Sequence, residues 1–209
     1  MSRRKRIELL IIFVMIFGVI AMFHESRLGR FIDKEVYEFI YSAESFIMTS
    51  FMLGFTFIAE VLTMIILSLM VITVLMILKM RYEALFFALS MIISSILNPV
   101  LKNIFDRERP TLLRLIDISG FSFPSGHAMG SSTFFTSIAS IMNTKFTRQQ
   151  NWIITTICGF FILMVSSSRV YLGVHYPTDV LAGIFGGFIS VLLSSIILEK
   201  LFDNTKRII

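Results

Sequence analysis

The chain has 209 residues, of which 56% are hydrophobic and 16% are charged, and its mean hydropathy is +0.82. A soluble domain carries roughly 25% charged residues, so this composition excludes a separate soluble domain and indicates a membrane protein. The net charge of +5 does not indicate nucleic acid as a partner, because Lys and Arg cluster at the ends of apolar runs, where they orient membrane helices. The single cysteine, Cys158, excludes an intrachain disulfide.

The first apolar run, residues 7–23, follows four basic residues and is long enough to cross a hydrocarbon layer of about 30 Å as a helix. A secretory signal peptide has a similar pattern, but this run is long for a signal peptide and lacks a clear small-residue cleavage site. We therefore interpret it as the first transmembrane helix. Residues 31–47 then repeat apolar residues at helical spacing opposite charged ones, which predicts an amphipathic helix lying in the membrane interface.

Five further segments are predicted to span the membrane. They are residues 57–78, after a transition from residue 46, and residues 85–101, 125–142, 152–168 and 180–198. Pro99 is expected to bend or end the third helix, because proline lacks a backbone N–H. The predicted fold is an all-α integral membrane protein with six transmembrane helices and an interfacial amphipathic helix after the first. It forms a single domain over residues 1–209.

Six spans place both termini on one face of the membrane. That face would carry 11 of the 19 Lys and Arg residues, so the positive-inside rule makes it the cytoplasmic face of a cell membrane. Polar loops at residues 102–124 and 169–178 lie on the opposite face, because two spans separate them. Any site that these loops build is expected to face the extracytoplasmic side.

The polar residues of these two loops predict a phosphate site. Lys102, Arg109 and Arg169 are fixed positive charges, and arginine offers a planar fork of donors suited to phosphate oxygens. Ser125 and Gly126 open the fourth helix, where unpaired N–H groups and the helix dipole favour an anion.

Two histidines could carry out chemistry on such a phosphate. His175 can attack phosphorus through a ring nitrogen that carries no proton, and a carboxylate bonded to the other nitrogen would hold that tautomer. Asp179 follows four residues later and is the natural partner. His127 would donate a proton to the leaving alkoxide and later activate water. The predicted reaction is hydrolysis through a covalent phosphohistidine.

The same residues resemble the signature motifs of a known family. KxxxxxxRP at residues 102–110, PSGH at 124–127 and SRxxxxxHxxxD at 168–179 are similar to the three motifs of the type 2 phosphatidic acid phosphatase superfamily. The motif region covers residues 102–179. The resemblance implies a metal-independent reaction without a cofactor on lipid phosphates such as undecaprenyl diphosphate, phosphatidylglycerol phosphate or phosphatidic acid. The roles it implies are nucleophile for His175, general acid and base for His127, orienting partner for Asp179, and phosphate ligand for Lys102, Arg109, Ser125, Gly126 and Arg169.

Three accessory candidates have two interpretations each. Glu60, an unpaired acid in an apolar stretch, either faces the mouth of the site or reaches the membrane interface. Arg107 and Arg114 fit headgroup contact and generic surface charge equally well. Two other functions stay open: a lipid phosphotransferase with the same intermediate, and a lipid-binding membrane protein without activity. The sequence does not indicate an oligomeric state.

Overall fold

The computed structural model of the protein describes residues 2–42, 44–111 and 114–206, and within these ranges it contains eight α-helices and no strand. The helices are α1 (Arg3–Phe23), α2 (Arg27–Tyr41), α3 (Phe46–Ile58), α4 (Val61–Ile77), α5 (Arg81–Phe105), α6 (Gly126–Met142), α7 (Arg148–Tyr171) and α8 (Pro177–Lys206). The predicted all-α class is therefore confirmed.

Several of the described helices are long and apolar enough to cross a membrane. Four of them, α1, α5, α7 and α8, qualify alone. The bent pair α3 and α4, whose axes differ by 53°, raises the number to five if it counts as one span. The protein is thus a multi-pass membrane protein. The predicted count of six requires α6 as well, which has 17 residues and so lies at the lower end of the range for a spanning helix.

The helices α5 and α7 continue past their predicted ends, and each of these extensions carries a predicted site residue. α5 continues past Pro99 to Phe105, so Lys102 lies in its last turn and not in a loop. Proline removes one helical hydrogen bond, but α5 packs against α6 and α8, and neighbouring helices can satisfy freed backbone groups. α7 likewise reaches Tyr171, which places Arg169 in its last turn.

An amphipathic helix follows the first helix, as predicted, but it covers Arg27–Tyr41 instead of residues 31–47. The hydroxyl of Ser26 accepts a hydrogen bond from Gly29 N (3.1 Å), which fixes the start of α2. Phe31 and Phe39 are exposed on its outer face, whereas Asp33 is buried on its inner face. The segment expected to be a transition from residue 46 is itself a helix, α3.

Close packing of α6 against α8 positions the two helix starts that carry motif residues. A Cβ added at Gly187 would lie 2.6 Å from Ser132 Cβ, and one at Gly183 would lie 2.6 Å from Ser125 O. Only glycine permits this approach, as in other membrane helix pairs with small residues at the contact. Ser125 N also donates a hydrogen bond to Asp179 O (2.9 Å), which joins the beginning of α6 to the first turn of α8.

Candidate active site

The motif residues converge at one end of the bundle, where α5 and α7 end and α6 and α8 begin. Lys102 and Arg169 lie in final helical turns, His127 and Asp179 lie in first turns, and His175 lies in the loop between α7 and α8. Because these helices end and begin at the same level of the bundle, the residues of the two polar loops lie close to one another. The structure therefore brings together residues up to 77 positions apart in the sequence.

The hydrogen bonds of His175 fix its tautomer. Its Nε2 lies 3.1 Å from a terminal nitrogen of Arg109, and its Nδ1 lies 3.2 Å from Ser122 Oγ and 3.4 Å from Asp179 Oδ2. A guanidinium only donates, so Nε2 is the acceptor and Nδ1 carries the proton of the neutral ring. Burial lowers the pKa of His175 to about 4, in spite of the hydrogen bond to Asp179. At neutral pH the ring is neutral, with its lone pair on the side of Arg109.

Asp179 is completely buried, and hydrogen bonds hold both of its oxygens. Oδ2 accepts from Ser122 Oγ (2.5 Å) and from Tyr176 N (2.8 Å), and the second bond is the one by which an acidic third residue of a helix reaches back to the residue before it. Oδ1 accepts from Arg107 (2.5 Å). The predicted contact between His175 and Asp179 is present across Pro177, and Ser122 bridges the two side chains. Ser122 therefore belongs to the support of the histidine.

Arg107 lies behind this pair and not at the surface. Its side chain is only 6% exposed, and its terminal nitrogens donate to Asp179 and to Asp33 on α2. A buried guanidinium requires acidic partners, and α2 and α8 each provide one. The expectation of generic surface charge for Arg107 is therefore wrong.

The three phosphate-ligand candidates with positive charge contact neutral groups. Lys102 Nζ donates to Phe121 O, Arg109 donates to the carbonyls of Gly120 (2.8 Å) and Val174 (2.9 Å), and Arg169 donates to Thr56 Oγ1. Among the ion pairs of the described residues, none involves these three cations. Carbonyls and hydroxyls orient the side chains without cancelling their charge. The end of the bundle is thus electrostatically prepared for an anion.

One buried donor at this site lacks a protein acceptor. Arg169 is 1% exposed, and its Nε has no hydrogen-bond partner among the described residues. A buried donor without a partner costs about 1–3 kcal/mol. An anion bound at Arg169 would relieve that cost.

His127 contacts a carboxylate from a different helix pair. Its Nε2 lies 3.1 Å from Glu60 Oε1, and Glu60 is the residue before α4, at the bend between α3 and α4. The side chain of Glu60 is 46% exposed, so the pair lies at the rim of the site. The contact favours the interpretation in which Glu60 faces the site. His127 also lies within electrostatic reach of Arg169, His175, Arg109 and Lys102.

Ser125, Gly126 and Arg114 complete the predicted set. The hydroxyl of Ser125 accepts from Ala128 N (3.5 Å) and caps α6, whose first N–H groups have no partner within the helix. A Cβ at Gly126 would approach Asn98 Oδ1 to 3.1 Å, so the backbone there is closely packed. Arg114 donates through Nε to Pro110 O, and it lines a cavity of about 360 Å³ together with Arg109.

A known protein family matches the part of the chain that carries this site. The family description "PAP2 superfamily" matches residues 83–203, which is more than half of the chain. The chain belongs to the PAP2 superfamily. The resemblance found in its three motifs is therefore confirmed.

Individual PAP2 proteins are similar to this chain over different lengths. Phosphatidylglycerophosphatase B from Bacillus subtilis is 38% identical over 54% of each chain, and undecaprenyl-diphosphatase from Sulfolobus acidocaldarius is 35% identical over 50% of each chain. The chain thus spans about half the length of the curated relatives that it matches. The crystal structure of a transmembrane PAP2 type phosphatidylglycerolphosphate phosphatase from Bacillus subtilis superposes with a TM-score of 0.84 at 26% identity, covering 91% of this chain and 96% of that one.

The structure of Aquifex aeolicus LpxE gives a more distant match. Its TM-score is 0.64 at 23% identity, and the superposition covers 77% of this chain and 93% of the other. At this identity the match concerns the fold alone. The helical arrangement described above is therefore shared by two solved structures.

Sequence reasoning on this PAP2 chain missed polar side chains that support the motif residues. The missed residues are Asp33, Thr56, Ser122 and Thr178. Asp33 gave one usable signal, since it shares a helical face with Tyr37 and Ile40, which pack toward the core. An acid in register with inward-facing residues indicates a buried partner. For Ser122 and Thr56 the sequence holds no comparable signal.

Proposed function

We propose that this PAP2 protein is a membrane phosphatase that hydrolyses the phosphate or diphosphate headgroup of a lipid. The observation that carries the proposal is the state of His175, a neutral ring whose unprotonated Nε2 lies 3.1 Å from Arg109. A nucleophile beside cations that form no ion pair with a carboxylate of the described residues suits attack on a phosphoryl group. The named activities of the relatives from Bacillus subtilis and Sulfolobus acidocaldarius support the same class of substrate.

The proposed reaction has two steps. Nε2 of His175 attacks phosphorus, the bond to the leaving oxygen breaks, and His127 gives its proton to that oxygen. His127 then removes a proton from water, which attacks the phosphohistidine and releases inorganic phosphate from His175. Ser122 Oγ accepts the hydrogen bond from Nδ1–H, and the carboxylate of Asp179, 3.4 Å from Nδ1, stabilises the imidazolium in both steps. These steps use no metal and no cofactor.

The remaining motif residues would bind the transferring phosphate. Lys102, Arg109 and Arg169 stabilise the negative charge of its oxygens, and the hydroxyl of Ser125 and the backbone N–H of Gly126, at the start of α6, add further donors. The buried Nε of Arg169, which has no hydrogen-bond partner in the part of the chain that the structure describes, supports this assignment. Arg114, which shares a cavity with Arg109, would contact a second phosphate if the substrate is a diphosphate.

The proposed topology is a single membrane domain over residues 1–209 with six spans. α1, the bent pair α3 and α4, α5, α6, α7 and α8 each cross the membrane once, and α2 lies in the interface. Both termini are then cytoplasmic, and the site faces the extracytoplasmic side. A lipid substrate can keep its tails in the bilayer while its phosphate reaches the helix ends.

A phosphate-release assay tests the proposed function. Purified protein is reconstituted with phosphatidylglycerol phosphate, phosphatidic acid or undecaprenyl diphosphate, and both free phosphate and the dephosphorylated lipid are measured. We expect the two products in a one-to-one ratio for at least one lipid, and no turnover by His175→Ala. Dephosphorylated lipid without free phosphate would indicate a phosphotransferase. Turnover by His175→Ala, or no turnover of any lipid by the unaltered protein, would contradict the proposal.

A further inference from the structure

Three buried charges form a chain behind the nucleophile, from α2 to α8. Asp33 Oδ2 lies 2.7 Å from one terminal nitrogen of Arg107, and the other terminal nitrogen lies 2.5 Å from Asp179 Oδ1. The side chains of Asp33 and Asp179 are 3% and 0% exposed. Asp179 in turn meets Nδ1 of His175 at 3.4 Å. Asp33 thus reaches the catalytic histidine through two intermediate side chains.

Asp33 also holds the beginning of α8. Its Oδ1 accepts from Thr178 N (2.8 Å), and its Oδ2 accepts from Thr178 Oγ1 (2.9 Å). The first N–H groups of a helix have no partner within the helix, and a carboxylate there is also favoured by the helix dipole. Thr178 precedes Asp179, so this contact fixes the backbone from which Asp179 extends. Asp33 therefore positions Asp179 by its backbone and by its side chain.

The charge balance gives Asp33 a second effect. Arg107 alone would neutralise Asp179, and the pair would then present little negative charge to His175. With Asp33 present, one guanidinium is shared between two carboxylates, and the group of three carries a net charge of about −1. A buried negative charge stabilises the imidazolium that forms when His175 attacks phosphorus.

We infer that Asp33, on the amphipathic helix α2, is a positioning residue for the phosphoryl transfer, acting on His175 through Arg107 and Asp179. The inference rests on the proposed function. It assigns α2 a part in the reaction, although α2 contains none of the three motifs.

The test compares Asp33→Asn with Glu38→Gln in the full-length reconstituted protein. The control lies on the same helix and breaks the exposed contact between Lys34 and Glu38 (3.8 Å). Turnover is measured per active site, counted from the burst of the first product, together with KM and inhibition by inorganic phosphate. A variant that only folds less well has fewer active sites, but each site keeps its kcat.

For Asp33→Asn we expect kcat per active site to fall by about 10- to 100-fold, as small misplacements of reacting groups do. KM and phosphate inhibition should change less than about twofold, because Lys102, Arg109 and Arg169 are untouched. Glu38→Gln should match the unaltered protein. An unchanged kcat per active site, or a loss explained by fewer active sites, would overturn the inference. Absence of phosphate release by the unaltered protein would instead count against the proposed function.

If Asp33→Asn does not fold, a second variant tests the same inference. Thr178→Val removes the hydroxyl that donates to Asp33 and accepts from Arg107 (2.8 Å), while all three charges stay. We expect kcat per active site to fall at least about threefold, with KM unchanged. Unaltered turnover by a folded Thr178→Val would overturn the inference.

Discussion

At the scale of single residues, the contact between Glu60 and His127 distinguishes a functional carboxylate from one that only reaches the membrane interface. The carboxylate lies 3.1 Å from Nε2 of a ring that is surrounded by cations. As a hydrogen-bond acceptor, the carboxylate holds the ring in one orientation. In the proposed reaction His127 is the general acid, which must aim its proton at the leaving oxygen. We therefore expect Glu60 to act on the reaction through His127.

The variant Glu60→Gln is expected to lower kcat by about fivefold, since replacing a charged hydrogen-bond acceptor by a neutral one costs about 1 kcal/mol. Replacement of the charged carboxylate beside His127 should also alter the pH–rate profile, which is measured by phosphate release between pH 5 and pH 9.

The matched control for Glu60→Gln is Glu83→Gln. Glu83 also pairs with a basic residue, Lys145 (3.0 Å), but it lies in the first turn of α5, at the other end of that helix from Lys102. Its replacement should leave the pH–rate profile unaltered. If Glu60→Gln keeps both the turnover and the profile of the unaltered protein, Glu60 has no part in the reaction.

The sequence predicted the motif residues well, but it did not predict the side chains that support them. Lys102, Arg109, His127, Arg169, His175 and Asp179 were all identified from spacing and chemistry, and the structure gathers them at one end of the bundle. Asp33 lies 146 positions from Asp179, and no local pattern links the two. Arg107 was misread because its spacing does not reveal that α2 supplies it with a second carboxylate. Support contributed by distant elements depends on packing, which sequence periodicity does not encode.

At the scale of elements, the contact between α6 and α8 controls the geometry of the site. Gly187 faces Ser132 so closely that a Cβ would lie 2.6 Å from the serine Cβ and 2.8 Å from Met129 O. A backbone oxygen cannot move aside as a flexible side chain can. Any side chain at this position must push the two helices apart. The helix starts that carry His127 and Asp179 would then separate.

The variant Gly187→Ala is expected to lower stability by about 1–3 kcal/mol, the usual cost of overpacking, and to lower turnover as well. Stability is followed by thermal unfolding in detergent and turnover by phosphate release. Gly159→Ala is the matched control, because Gly159 lies within α7 and a Cβ there meets nothing within 4 Å. Alanine favours a helix over glycine, so this control should be neutral or slightly stabilising. Equal stability of the two variants would contradict the role given to the α6–α8 contact.

Helix boundaries show where sequence periodicity stops being informative. Six apolar runs and one amphipathic pattern located seven of the eight described helices, since each extends over many residues. The bend between α3 and α4 was missed because hydropathy stays high across residues 46–78 and only Glu60 interrupts it. The ends of α5 and α7 were placed too early because their last turns are polar. Those turns are polar because they carry candidate site residues. The polarity of the site therefore hides the ends of α5 and α7 from an analysis of hydropathy.

At the scale of the whole molecule, six spans require residue 2 and residue 119 to lie on opposite sides of the membrane. The single cysteine allows a direct test: Ser2→Cys and Ser119→Cys are each made in a Cys158→Ala background, and both positions are exposed. In right-side-out vesicles, a membrane-impermeant maleimide should label Ser119→Cys at once and Ser2→Cys only after permeabilisation. This result follows because α1, the bent pair of α3 and α4, and α5 make three crossings between the two positions. Labelling of both before permeabilisation would mean an even number of crossings there, and the bent pair would then be a re-entrant segment.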